Sequence, residues 1–138
     1  MKLEARLRAF AALVRQRSFS AAAAELRISQ PAVSKHIAEF EAAIRLQPSF
    51  ARAYGNLADF YRAQGQEDRV KDTLERGLGV LPREAALHYA LGLHFVRAKN
   101  VRSAMVELER ATKMAPDDAL FAYGYAVGLY SRDDKLAA

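Results

Sequence analysis

Pro31-Ala32-Val33-Ser34-Lys35-His36-Ile37-Ala38-Glu39-Phe40-Glu41-Ala42-Ala43-Ile44-Arg45-Leu46-Gln47-Pro48 is the stretch on which two different sequence patterns meet. Val33, Ile37, Phe40 and Ile44 recur at helical spacing and form one narrow apolar stripe, with Gln30, Ser34, Lys35, Ala38 and Arg45 on the other side. A proline in the first turn lacks only a donor that would be unpaired there anyway, and a proline after the last turn disfavours helix in the residue before it. The spacing therefore predicts one unbroken helix over Pro31–Leu46.

Toward the C-terminus, Pro48 is the first of three prolines, with Pro82 and Pro116, that stand 34 residues apart. Each closes an Ala- and Leu-rich stretch. A fixed period of this length predicts stacked helical hairpins, because no single unit buries its own apolar face. Toward the N-terminus the period fails. Leu3, Leu7, Phe10 and Val14 predict a first amphipathic helix, and Ser20 fits as the N-cap of a short helix over Ala21–Leu26. After a turn at Arg27-Ile28-Ser29, the helix from Pro31 follows. Two short helices joined by a tight turn make a helix-turn-helix.

Charge divides the chain in the same place. Lys and Arg total 21 against 16 Asp and Glu, a net charge of +5. Residues 1–47 hold eight of the bases (Lys2, Arg6, Arg8, Arg15, Arg17, Arg27, Lys35, Arg45) and only four acids (Glu4, Glu25, Glu39, Glu41). Nearly all of the excess thus lies in the segment outside the period, where a phosphate backbone can use it. The absence of cysteine excludes disulfides and thiolate metal sites and points to a reducing cytoplasm. The apolar run Ala9–Val14 is too short for a signal peptide, and no run reaches the ~20 apolar residues of a membrane helix. A cytoplasmic location with no membrane partner is expected.

The N-terminal residues carry a family resemblance. Leu7-Arg8-Ala9-Phe10, Ser18-Phe19-Ser20-Ala21-Ala22-Ala23-Ala24-Glu25-Leu26 and Ile28-Ser29-Gln30-Pro31-Ala32-Val33-Ser34-Lys35-His36-Ile37 resemble the DNA-binding headpiece of LysR-type transcriptional regulators. The resemblance implies that the third helix enters the major groove of duplex DNA. Gln30, Pro31, Ser34 and Lys35 would then face DNA, with Ser18 and Ser20 near phosphates. Gln, Ser and Lys side chains suit base edges and phosphate oxygens. After Ile44 the family continues into a wing and a dimerisation helix. This chain instead runs Arg45-Leu46-Gln47-Pro48-Ser49-Phe50 into the periodic part.

That part resembles tetratricopeptide (TPR) repeats. One unit spans 51–84, with Tyr54, Leu57, Ala58, Tyr61, Gly65, Leu74 and Pro82 at the family's preferred positions. A second spans 85–118, with Leu91, Gly92, Phe95, Ala104, Leu108, Ala111 and Pro116, but with His88 at an aromatic place and Lys99-Asn100 at the turn. A partial third covers 119–138. Extended backward, the frame also fits Phe40, Ala43 and Pro48, so the helix over 31–46 serves both families' patterns. The two resemblances together imply an all-α fold. A three-helix helix-turn-helix head, residues 1–47, shares a helix with a short TPR-like α-α superhelix, residues 48–138.

In the TPR family the first helix of each unit lines a groove for a peptide or a partner helix. The resemblance carries that role to Arg52, Asn56, Asp59 and Arg62, to Tyr89, Leu93, Val96 and Arg97, and to Leu120, Tyr123, Val127 and Tyr130. Gly55 and Asp59 interrupt the pattern of clamps that take acidic tails, so apolar contact is expected. The segment Ala119–Ser131 is apolar nearly all round, which favours self-association, and a homodimer through this open helix is expected as one mode of assembly.

Enzymatic chemistry is not expected. His88 and His94 stand six apart, on opposite sides of a helix rather than on one metal-binding face, and His36 lies in the helix expected to face DNA; Gly77-Leu78-Gly79 follows no strand, and Asp117-Asp118 and Asp133-Asp134 suit helix caps. Neither resemblance implies a cofactor. Two readings stay open beside a DNA-binding regulator joined to an interaction scaffold: a TPR-type interaction module whose N-terminal helices merely cap it, and a recombined or engineered chimera without native DNA binding.

Overall fold

The computed structural model describes residues 30–137, with side chains over 31–130. Within them lie six helices: α1 (Gln30–Leu46), α2 (Ala51–Ala63), α3 (Glu67–Val80), α4 (Ala85–Arg97), α5 (Val101–Met114) and α6 (Ala119–Ala137). No strand occurs among the described residues, and the expected all-α class is observed. The chain forms two compact units, one through Thr73 and one from Leu74.

In the first unit, α1 is the single unbroken helix expected from its sequence. It stops where Pro48 forbids another turn, and the chain reverses through bonds from the Gln47 amide to Ala43 O (2.8 Å) and from the Phe50 amide to Gln47 O (3.0 Å). The reversal is latched from the next helix, whose Tyr54 hydroxyl donates to Pro48 O at 2.6 Å. Helix α2 buries Ala53, Tyr54, Leu57, Ala58, Phe60 and Tyr61. Its end closes on Gly65, whose φ of 72° lies in the left-handed region that glycine reaches without steric cost. There the Gly65 amide donates to Arg62 O and the Gln66 amide to Tyr61 O, both at 2.9 Å, which pairs carbonyls that the helix end would leave unpaired. Glu67 and Asp68 follow in the first turn of α3, where acidic side chains complement the helix dipole. The Arg69 guanidinium lies over the Tyr61 ring, 5.5 Å from its centroid.

The second unit repeats this plan one period later with different residues. Lys99 takes the place of Gly65 and keeps the left-handed backbone, at a φ of 60°. The same two bonds form, from the Lys99 amide to Val96 O (3.0 Å) and from the Asn100 amide to Phe95 O (2.9 Å). The Asn100 side chain then caps α5 by accepting from the Ser103 amide at 3.2 Å. His88 stands where Tyr54 stood and again latches the preceding reversal, through Nε2 to Pro82 O at 2.8 Å. A carbonyl only accepts, so Nε2 carries a proton. The other ring nitrogen meets the buried Glu107 carboxylate at 2.6 Å, and Arg110 holds that carboxylate's second oxygen at 2.9 Å. The histidine that departs from the aromatic pattern is therefore a satisfied core group.

Helices α4 and α5 approach closely because Gly92 has no side chain. A Cβ there would lie 2.8 Å from Leu108 Cδ2 and 3.3 Å from the Leu108 amide nitrogen. Helix α6 is capped by Asp118, whose carboxylate accepts from the Leu120 and Phe121 amides. It packs its small face inward: a Cβ at Gly124 would lie 2.8 Å from Tyr89 Cε2, and one at Gly128 would lie 2.8 Å from Met105 Sδ. Phe121 is buried with its ring 4.8 Å from that of Tyr89.

Candidate functional site

Two surfaces collect the residues singled out from the sequence, one on each unit. On α1, Pro31, Ser34 and Lys35 are exposed together with Ala38, Glu39 and Arg45. Gln30 is the first residue of α1, and its side chain lies outside the described residues, as do Ser18 and Ser20. On the opposite stripe Val33 and Ile44 are buried and Ile37 and Phe40 half-buried. Val33 and Phe60 of α2 form a core cluster, with Ile37 and Phe40 packed against it. The Phe40 and Phe60 rings lie 5.8 Å apart, and the His36 ring stacks on Phe60 at 5.9 Å. His36 Nδ1 is also 3.1 Å from Glu39 on the same helix. One turn further on, the Tyr61 hydroxyl donates to Glu41 at 3.2 Å.

This packing goes beyond what the helical wheel supplied. The partner observed for Val33, Ile37 and Phe40 is α2. Phe60 itself was not among the residues singled out. Its signal was a large aromatic beside Tyr61 in a helix whose other faces were already assigned.

The second surface is aromatic and aliphatic. Along α6, Leu120, Tyr123, Val127 and Tyr130 recur at helical spacing and point outward, with Tyr123 and Tyr130 each 70% exposed. On α4, Tyr89 and Leu93 are half-buried while Val96 and Arg97 are exposed. Burial pushes the Tyr89 hydroxyl above the ordinary tyrosine range, and the Asp118 carboxylate adds to that rise. In the first unit the four groove candidates do not share one environment. Arg52 is exposed, Asn56 is buried, and Asp59 and Arg62 are half-buried and form a loose pair at 3.8 Å.

No group of three or more potential metal ligands occurs among the described residues, and none of their helices is long and apolar enough to cross a membrane. His36 and His88 use the carboxylates beside them as hydrogen-bond partners within the fold.

Comparison with known families finds two matches. Residues 5–47 match the bacterial regulatory helix-turn-helix protein, lysR family, and residues 39–71 match a tetratricopeptide repeat. The matches overlap across residues 39–47, all but one of which belong to α1. The two matched segments thus meet within a single helix. No curated protein matches it.

Proposed function

We propose that this chain is a non-enzymatic DNA-binding module of the transcription-regulator type, residues 1–47, continued into a TPR-like interaction scaffold, residues 48–138, and that it acts in the cytoplasm. The observation that carries this reading is the two-sided character of α1. Its apolar stripe is buried on Phe60, while Pro31, Ser34 and Lys35 stand free on the other side. With Gln30, and with Ser18 and Ser20 from the segment before it, these residues supply the donors and acceptors that base edges and phosphates need.

Binding that relies on few phosphate contacts weakens steeply with salt. Anisotropy titration of a labelled random-sequence duplex at low and moderate salt tests the reading. Lys35→Ala is expected to weaken binding and to lower the salt slope by about one unit. Absence of any binding by the unaltered chain at low salt would sink it.

A second reading concerns the scaffold, and the outward stripe of α6 favours it. Tyr123 and Val127, with Tyr89, Leu93, Val96 and Arg97 of α4, offer an apolar face to a peptide or helix. A second copy of the chain meeting Leu120, Tyr123, Val127 and Tyr130 would give a homodimer. Sedimentation of the unaltered chain and of Tyr123→Ser tests this: a dimer that Tyr123→Ser dissociates supports it, and a monomer at all concentrations refutes the dimer.

A further inference from the structure

We propose that Phe60, a residue of the repeat, is a positioning residue for the DNA-facing side of α1; this rests on the DNA-binding reading above. Phe60 lies outside the segment that matches the helix-turn-helix family and inside the one that matches the repeat. Four residues on one face of α1 converge on its ring. Val33 shares its buried cluster, His36 stacks on it, and Ile37 and Phe40 pack against it. These are positions i, i+3, i+4 and i+7 of one helix face, so a single fully buried ring sets the rotation of α1 about its own axis.

Ser34 and Lys35 follow Val33 by about 100° and 200° on the helical wheel, which turns them away from Phe60. Rotating α1 by one residue would bring Ser34 onto the ring and move Lys35 into the place that Ser34 had held. The Tyr61–Glu41 hydrogen bond, from the residue next to Phe60, opposes sliding along the axis. Rotation and axial position of the outward face are thereby both set from α2. Recognition needs side chains held within roughly 0.5 Å of their productive places, and supporting residues with locked rotamers provide that.

The test uses the full chain and a labelled random-sequence duplex. Phe60→Leu keeps an apolar side chain but removes the ring that His36 and Phe40 meet. Leu108→Ala, in the second unit, serves as a control that loses stability without touching this cluster. If α1 is held in place for only a fraction of the time in Phe60→Leu, apparent affinity falls by that fraction, about three- to tenfold, with the salt slope unchanged. The His36 ring protons also lose the ring-current shift that stacking imposes. Leu108→Ala is expected to bind as the unaltered chain does at temperatures where both are folded.

Undiminished binding by Phe60→Leu, or an equal loss in Leu108→Ala, overturns the proposal while leaving DNA binding itself intact. Failure of the unaltered chain to bind DNA removes the functional reading first and the proposal with it.

Discussion

The helix pairs α2–α3 and α4–α5 solve the same two problems with different residues, and the comparison separates what the backbone requires from what side chains negotiate. The first problem is how to hold the reversal at the repeat proline. Tyr54 and His88, one period apart, both donate to the carbonyl of the proline six residues earlier. A phenol is satisfied by that single acceptor, and Thr73 stands at the facing position of the period. An imidazole has a second nitrogen, and one period after Thr73 the chain carries Glu107, which meets it. The second problem is the sharp turn inside each hairpin. Both turns make the same pair of backbone bonds around a left-handed residue, which is Gly65 in one and Lys99 in the other.

The largest effect is expected from breaking the His88–Glu107 pair. Glu107→Thr removes a buried partner and leaves a void, at a cost of about 3 kcal/mol in urea unfolding. Adding His88→Tyr to that variant installs the first repeat's pair, with a hydroxyl that reaches Pro82 O. Most of the loss is then recovered. Costs of the two substitutions that simply add would show that the repeats are not equivalent here.

Next comes the close approach of α4 and α5. Ala58 is accommodated in the first repeat, whereas its counterpart Gly92 lies against Leu108, including that residue's amide nitrogen. Gly92→Ala gains helix propensity worth up to about 1 kcal/mol but forces a backbone-level clash of about 1–3 kcal/mol, so a net destabilisation of about 1 kcal/mol is expected. A rise in thermal midpoint would contradict the geometry. Smaller again is the turn. A non-glycine residue in the left-handed region costs about 1–2 kcal/mol, and glycine returns part of that through the entropy of the unfolded chain. Lys99→Gly is therefore expected to stabilise by about 0.5 kcal/mol, and Gly65→Lys to destabilise by about 1 kcal/mol, both read from denaturant midpoints.

These contrasts show what the sequence could convey. The proline period and the helical stripes fix their own positions, since both depend on local spacing. The unbroken α1 and the hairpins accordingly follow from the letters alone. Partners across space do not. Nothing in the order of residues ties His88 to Glu107, 19 positions away, or says that the Val33–Phe40 stripe is covered by Phe60. Both contacts depend on how helices cross. The same holds for Tyr89, which read as a groove residue while its ring is pressed onto Gly124 and against Phe121.

Tyr89 supports the smallest and most specific prediction. One period earlier the chain has Gly55 and one period later the exposed Tyr123, so of these three places only position 89 carries a half-buried phenol. Burial and the Asp118 carboxylate both disfavour the tyrosinate and raise its pKa above 10.0. A group whose folded pKa exceeds its unfolded value stabilises the fold fully below the unfolded value and loses that contribution as pH rises through the folded one. Stability is thus expected to fall on the alkaline side of pH 10.0, where the unfolded chain ionises first. Tyr89→Phe keeps the ring over Gly124 and removes the ionisation, so its denaturation midpoint should decline less over the same range. Tyrosinate absorbance in the folded chain should show one late-ionising phenol that Tyr89→Phe lacks. An alkaline decline identical in Tyr89→Phe would mean that the hydroxyl is as well solvated in the fold as in the unfolded chain.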